Sequence, residues 1–138
     1  MTLTDLHRSF GLLAGTIMLG RFVWRRFAKH PNFPADLPLV MRLAAVGTEY
    51  TLYGFMLAQP VLGLLYTNAR GDRVNFFFLG QIPALIGKDR PLSRTLHEAH
   101  EWLGFALLVL IAMHIGAALF HHFVRRDNIL RSMLSPGR

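Results

Sequence analysis

The stretch Ala106–Phe120 reads ALLVLIAMHIGAALF, and its one ionisable residue is His114. An ionisable side chain inside so apolar a run is costly in a membrane and is a functional candidate by default. His100 stands fourteen residues earlier. Fourteen residues is close to four helical turns, so both imidazoles leave the same helix face about 21 Å apart along the axis. That span covers most of a hydrocarbon core of roughly 30 Å. Two histidines stacked in this way suit a chain that holds one b-type haem near each surface of a bilayer and moves electrons between them.

Composition agrees with a membrane setting. Hydrophobic residues make up 52% of the chain, the mean hydropathy is +0.33, and only 17% of residues are charged, against about one in four for soluble domains. The net charge of +7 would suit a nucleic-acid binder if it lay on one polar face. Here the positives sit between apolar runs, where they set topology and meet anionic headgroups, so the expected partner is a lipid bilayer and not nucleic acid. The chain has no cysteine, which excludes disulfides, iron–sulfur clusters and thiolate-ligated haem. Histidine is then the main candidate ligand for any metal. Phe10–Gly20 has no basic segment before it and no cleavage site after it, so it does not read as a secretory signal.

Three apolar segments predict an all-α transmembrane bundle with three spanning helices in a single membrane domain, residues 1–138. The helices are expected at about 7–24, 43–66 and 93–124. The first connection carries Pro31, Pro34 and Pro38 and is expected to be irregular. The second contains Phe76–Leu79 and Ile82–Ile86, runs too short to span, and is expected to form an interfacial turn or short helix over the bundle. One side of the bundle carries nine positives (Arg21, Arg25, Arg26, Lys29, Arg42, Arg125, Arg126, Arg131, Arg138) and the other six (Arg8, Arg70, Arg73, Lys88, Arg90, Arg94). The positive-inside rule therefore places the C-terminus in the cytoplasm.

His7 opens the first helix and His100 the third, both from the outer side, so they are expected at similar depth as the two axial ligands of one haem. A neutral imidazole ligates iron well, with its second nitrogen held by a carbonyl or carboxylate. His114 is expected to face a second haem, yet the first two segments offer no histidine at its depth. Arg21, fourteen residues after His7, suits a haem propionate or is a snorkelling arginine. Met18 offers only a thioether. His121 reads either as a proton-exchanging residue at a quinone pocket or as an interfacial histidine. His97-Glu98-Ala99-His100 lacks the spacing of the zinc-protease motif. Glu49 is a proton carrier or an interfacial acid. A second reading of the whole chain is a membrane anchor that docks a soluble redox partner, and a homo-oligomer is compatible with either.

The stretches LHRSFGLL, GRFVWRR, LYGFMLAQPVLGLL and HEWLGFALLVLIAMHIGAALFHHFVRRDNILRSML resemble the bacterial cytochrome b561 family, di-haem membrane cytochromes that include a superoxide:ubiquinone oxidoreductase. The resemblance runs over nearly the whole chain. It implies a four-helix inner-membrane bundle with two b haems, electrons passing from an outer donor such as superoxide to membrane ubiquinone. It also implies that His7 and His100 share the outer haem, that His114 ligates the inner one, and that His121 lies at a quinone site. In the family a further helix precedes the first helix found here and supplies the inner haem's other histidine. The expectation is therefore a truncated form that binds its inner haem poorly. Many members carry a histidine where this chain has Glu49.

Overall fold

The computed structural model describes residues 2–28 and 37–126. The expectations for Pro31 and Pro34 and for the basic tail after Arg126 lie outside these residues. Three long helices dominate: α1 (Leu3–Phe27), α2 (Leu39–Arg70) and α3 (Arg90–Phe120). Each extends beyond the span expected from hydropathy at its N-terminus, and in α1 and α3 a side-chain cap overrides the fall in apolarity. Thr2 accepts from the Asp5 amide while the Asp5 carboxylate accepts from Thr2, a capping box that starts α1. Asp89 accepts from the Leu92 amide at 3.0 Å, and Pro91 stands in the first turn, where a missing N–H costs nothing. Gly71 ends α2 at φ 93°, a left-handed residue whose N–H bonds the Asn68 carbonyl at 2.8 Å. The apolar helix does not run to residue 124 in one form. After Phe120 it widens into a π-helical turn, η1 (His121–Arg125), closed by Arg126 at φ 52°.

Of the turn or short helix expected after α2, Phe76–Leu79 forms the turn, and it closes a small antiparallel hairpin, β1 (Val74–Asn75) with β2 (Gln81–Ile82), that was not expected. Val74 pairs with Ile82 and Asn75 with Gln81. Gly80 at φ 134° and Phe77 at φ 48° reverse the chain, and the Phe76 amide donates to the Gly80 carbonyl at 2.9 Å. The hairpin is latched to α1 by one residue. Ser9, fully buried, donates to the Asn75 carbonyl at 3.2 Å and accepts from the Phe77 amide at 2.9 Å. The Phe10 ring meets Phe77 edge-on at 5.2 Å.

Helix α2 runs through the middle and packs against both α1 and α3, while α1 and α3 make no direct backbone approach among the described residues. Both pairings are antiparallel. Gly15 of α1 lies against Pro60 of α2, so close that a Cβ at Gly15 would sit 2.6 Å from the proline Cγ. Further along, Phe22 meets Tyr53 at 5.4 Å, and Arg25 pairs with Glu49. On the other flank, Tyr66 stacks edge-on with His97 at 4.9 Å.

Among the described residues the buried apolar side chains are only Leu37, Tyr53, Ala69 and Val74, and the outer face of α3 is bare, with Trp102 73% and Leu108 65% exposed. Arg90–Arg125 is long and apolar enough to cross a membrane, with a mean hydropathy of 2.4 in its most apolar window, none of it buried within the chain. That is one such helix among the described residues, not three. At 25 and 32 residues, α1 and α2 exceed the length a bilayer needs. Arg8, Arg21, Arg25 and Arg26 in α1, and Gln59, Pro60 and the glycines in α2, keep their apolarity below that of α3.

Candidate functional site

Because α2 holds α1 and α3 apart, a slot remains between the two outer helices, and His7 and His100 face each other across it. Their ring centres are 6.1 Å apart with planes at 88°. Two metal–imidazole bonds of about 2 Å, with about 1 Å more from each nitrogen to its ring centre, would set the centres about 6 Å apart. The donor pair thus fits a single metal ion between two imidazoles. No group of three or more His, Asp or Glu gathers among the described residues, so such a metal would bring its remaining ligands with it, as a porphyrin does.

His100 is held more firmly than its partner. Its Nδ1 lies 3.1 Å from the main-chain carbonyl of Gln59. A carbonyl only accepts, so Nδ1 carries the proton and Nε2 keeps the free lone pair in the neutral ring. The Gln59 side chain reaches the same residue from the other end, its Nε2 donating to the His100 carbonyl at 2.9 Å. Gly63 makes space for the ring: a Cβ there would lie 3.1 Å from His100 Cε1. Gly104 makes space for the amide, since a Cβ there would meet Gln59 Nε2 at 2.8 Å. His7 is exposed at the head of α1. Its neighbours Arg8 and Ser9 tie that end to the hairpin, Arg8 through Asp72 at 3.4 Å.

The remaining candidates are spread along the bundle. His97 meets Tyr66 and lies 3.9 Å from Glu101, one turn above His100. Arg21 donates from Nε to the hydroxyl of the buried Tyr53 at 3.1 Å. His114 is half-buried on α3. Fourteen residues on from His100 along α3 is His114, and fourteen back from Gly63 along α2 is Glu49. At that level α2 therefore offers a carboxylate, and Arg25 of α1 engages it through a guanidinium fork in which NH2 makes the hydrogen bond and Nε adds an ion-pair contact. Beside this pair is a cavity of about 110 Å³ lined by Phe22, Arg25, Arg26 and Tyr50. His121 opens the π turn and meets Phe120 edge-on at 6.1 Å.

Sequence reasoning passed over Gln59, Gly63, Gly104 and the Arg25–Glu49 pairing. The one signal for the first was a glutamine placed directly before a proline inside an apolar run.

The chain matches the family described as prokaryotic cytochrome b561 over residues 1–136. It is 31% identical over 134 residues to cytochrome b561 homolog 2 of Escherichia coli (strain K12), which covers 96% of this chain and 71% of that protein. Against cytochrome b561 homolog 1 of the same organism it is 27% identical over 136 residues, 97% of this chain and 76% of that one. A probable superoxide oxidase CybB of Yersinia pestis is 30% identical over 134 residues, 96% of this chain and 75% of that protein. None of these names supports the reading as an anchor subunit. With an apolar helix that can cross a bilayer, a bis-imidazole slot beside it and a match over nearly its whole length, this chain belongs to the prokaryotic cytochrome b561 family of membrane-embedded haem b proteins.

Proposed function

We propose that the chain is an inner-membrane electron-transfer protein in which His7 and His100 would hold one haem b between α1 and α3. The observation that carries this reading is the 6.1 Å separation of the two rings across a slot that no helix fills. When bound, the haem supplies a one-electron carrier whose potential is set by ligation, burial and hydrogen bonding. The chain's own residues do the rest. The Gln59 carbonyl keeps the proton on His100 Nδ1 and so leaves Nε2 as the donor nitrogen. Gly63 leaves the ring its place. The bare apolar face of α3 meets lipid, which excludes water from the slot's flank.

At the same end stand Arg73, Lys88, Arg90 and Arg94, among the acids Asp5, Asp72, Asp89, Glu98 and Glu101, and we assign these four cations to steering an anionic donor. Superoxide is the donor we favour, on the likeness to the Yersinia pestis protein. At the other end membrane quinone is the acceptor, with His121 assigned to it because π turns recur at functional sites. His114 is assigned to a second, inner haem, with Arg21 as a partner for a propionate.

His7→Ala and His100→Ala are each expected to remove the same low-spin b-type component, because one iron needs both imidazoles. Reduced-minus-oxidised spectra and pyridine haemochrome counts on purified variants check this. Loss of two different components, or no loss, would refute the pairing.

A further inference from the structure

The backbones of the two ligand helices make no direct approach among the described residues, so something other than their own packing must set the distance between His7 and His100. We propose that Gln59, with Pro60, is the residue pair that positions His100 relative to α1, which rests on the reading of His100 as a haem ligand. Three observations converge on this one step of α2. Gln59 grips His100 twice, through its carbonyl at the ring and through its amide at the main chain. The adjacent Pro60 is seated against Gly15 of α1, with its Cγ 2.6 Å from where a Cβ would be. The amide reaches across only because residue 104 has no side chain, the space a Cβ would take being 2.8 Å from Gln59 Nε2. One dipeptide thus bears on both outer helices at once and transfers the placement of α1 to the ligand on α3.

The amide is also not kept for packing. Its Oε1 is buried with no hydrogen-bond partner, a state that an apolar side chain of the same size would avoid. The donor end, on the His100 carbonyl, is the end in use. Groups that orient a metal-bound histidine through its second nitrogen commonly change metal affinity 10–100-fold when altered. Here the carbonyl that does so belongs to the main chain, and the side chain keeps that carbonyl in register with the ring.

The test uses the full chain with haem b in lipid nanodiscs. It compares wild type, Gln59→Met, Gly104→Ala and Gly54→Ala, the last at a site with nothing within 4 Å of an added Cβ. Gln59→Met keeps the volume and loses the donor, whereas Gly104→Ala displaces the amide from α3 and leaves the sequence of α2 unchanged. Both are expected to fold with the wild-type Tm in the haem-free form. Both should release haem to an excess of a haem-scavenging apoprotein about tenfold faster or more, with a new high-spin component in the electron paramagnetic resonance spectrum. Gly54→Ala should behave as wild type. Wild-type spin state and release rate in both variants would overturn the proposal. So would a Gln59→Met chain that fails to fold, since that marks the amide as structural. His100→Ala with full low-spin haem would instead overturn the ligand assignment itself, so the two failures are told apart.

Discussion

A methyl group added at Gly63 would lie 3.1 Å from His100 Cε1 and 3.4 Å from Nδ1. The ring cannot yield towards Gln59, whose carbonyl already holds it, so it must swing into the slot. Gly63→Ala is therefore expected to lower haem content to below half while Gly54→Ala leaves it unchanged, measured by pyridine haemochrome per chain. Equal content in the two variants would show that the ring has room to spare. His7 and His100 were legible in the sequence because polarity at two helix starts, read with antiparallel topology, puts both at one depth. Gln59, Gly63 and Gly104 were not, since their roles exist only in the sliding register of α2 against α3. A helical repeat does not encode that register. The same holds for Glu49, whose partner Arg25 lies on another helix at a separation that no local pattern connects.

At the scale of elements, hydropathy found the three helices and misplaced their ends. It follows the lipid, whereas Thr2, Asp89 and Gly71 act on the backbone beyond it. The hairpin escaped for a related reason. Its strands are two residues each, too short for alternation to register, and the apolar Phe76–Leu79 run makes the turn instead of a helix. The buried Ser9 hydroxyl fastens that turn to α1 by donating to the Asn75 carbonyl and accepting from the Phe77 amide. Ser9→Ala removes both and leaves the Asn75 carbonyl and the Phe77 amide short of a partner, a loss of about 1–3 kcal/mol. The expected outcome is a lower Tm and faster amide exchange at Phe77, with haem content changed less than in Gly63→Ala. An unchanged Tm would mean that water takes over both bonds.

For the molecule as a whole, the few buried apolar residues and the bare flank of α3 describe a chain whose core is completed by its surroundings. The asymmetry of its positive residues, nine against six, gives the orientation we propose, with the C-terminal side in the cytoplasm. A periplasmically active reporter joined after Arg138 should be silent and one inserted at Gly71 active; the reverse pattern would invert the assignment of outer and inner ends. The separation of α1 from α3 carries a further consequence, for the order of assembly. Each wall of the slot rests on the central helix and the two backbones do not approach each other, so what bridges the slot is the edge-on ring pair of His7 and His100. For the haem protein we propose, walls set by α2 alone would make cofactor supply, rather than repacking of the helices, the step that readies the chain.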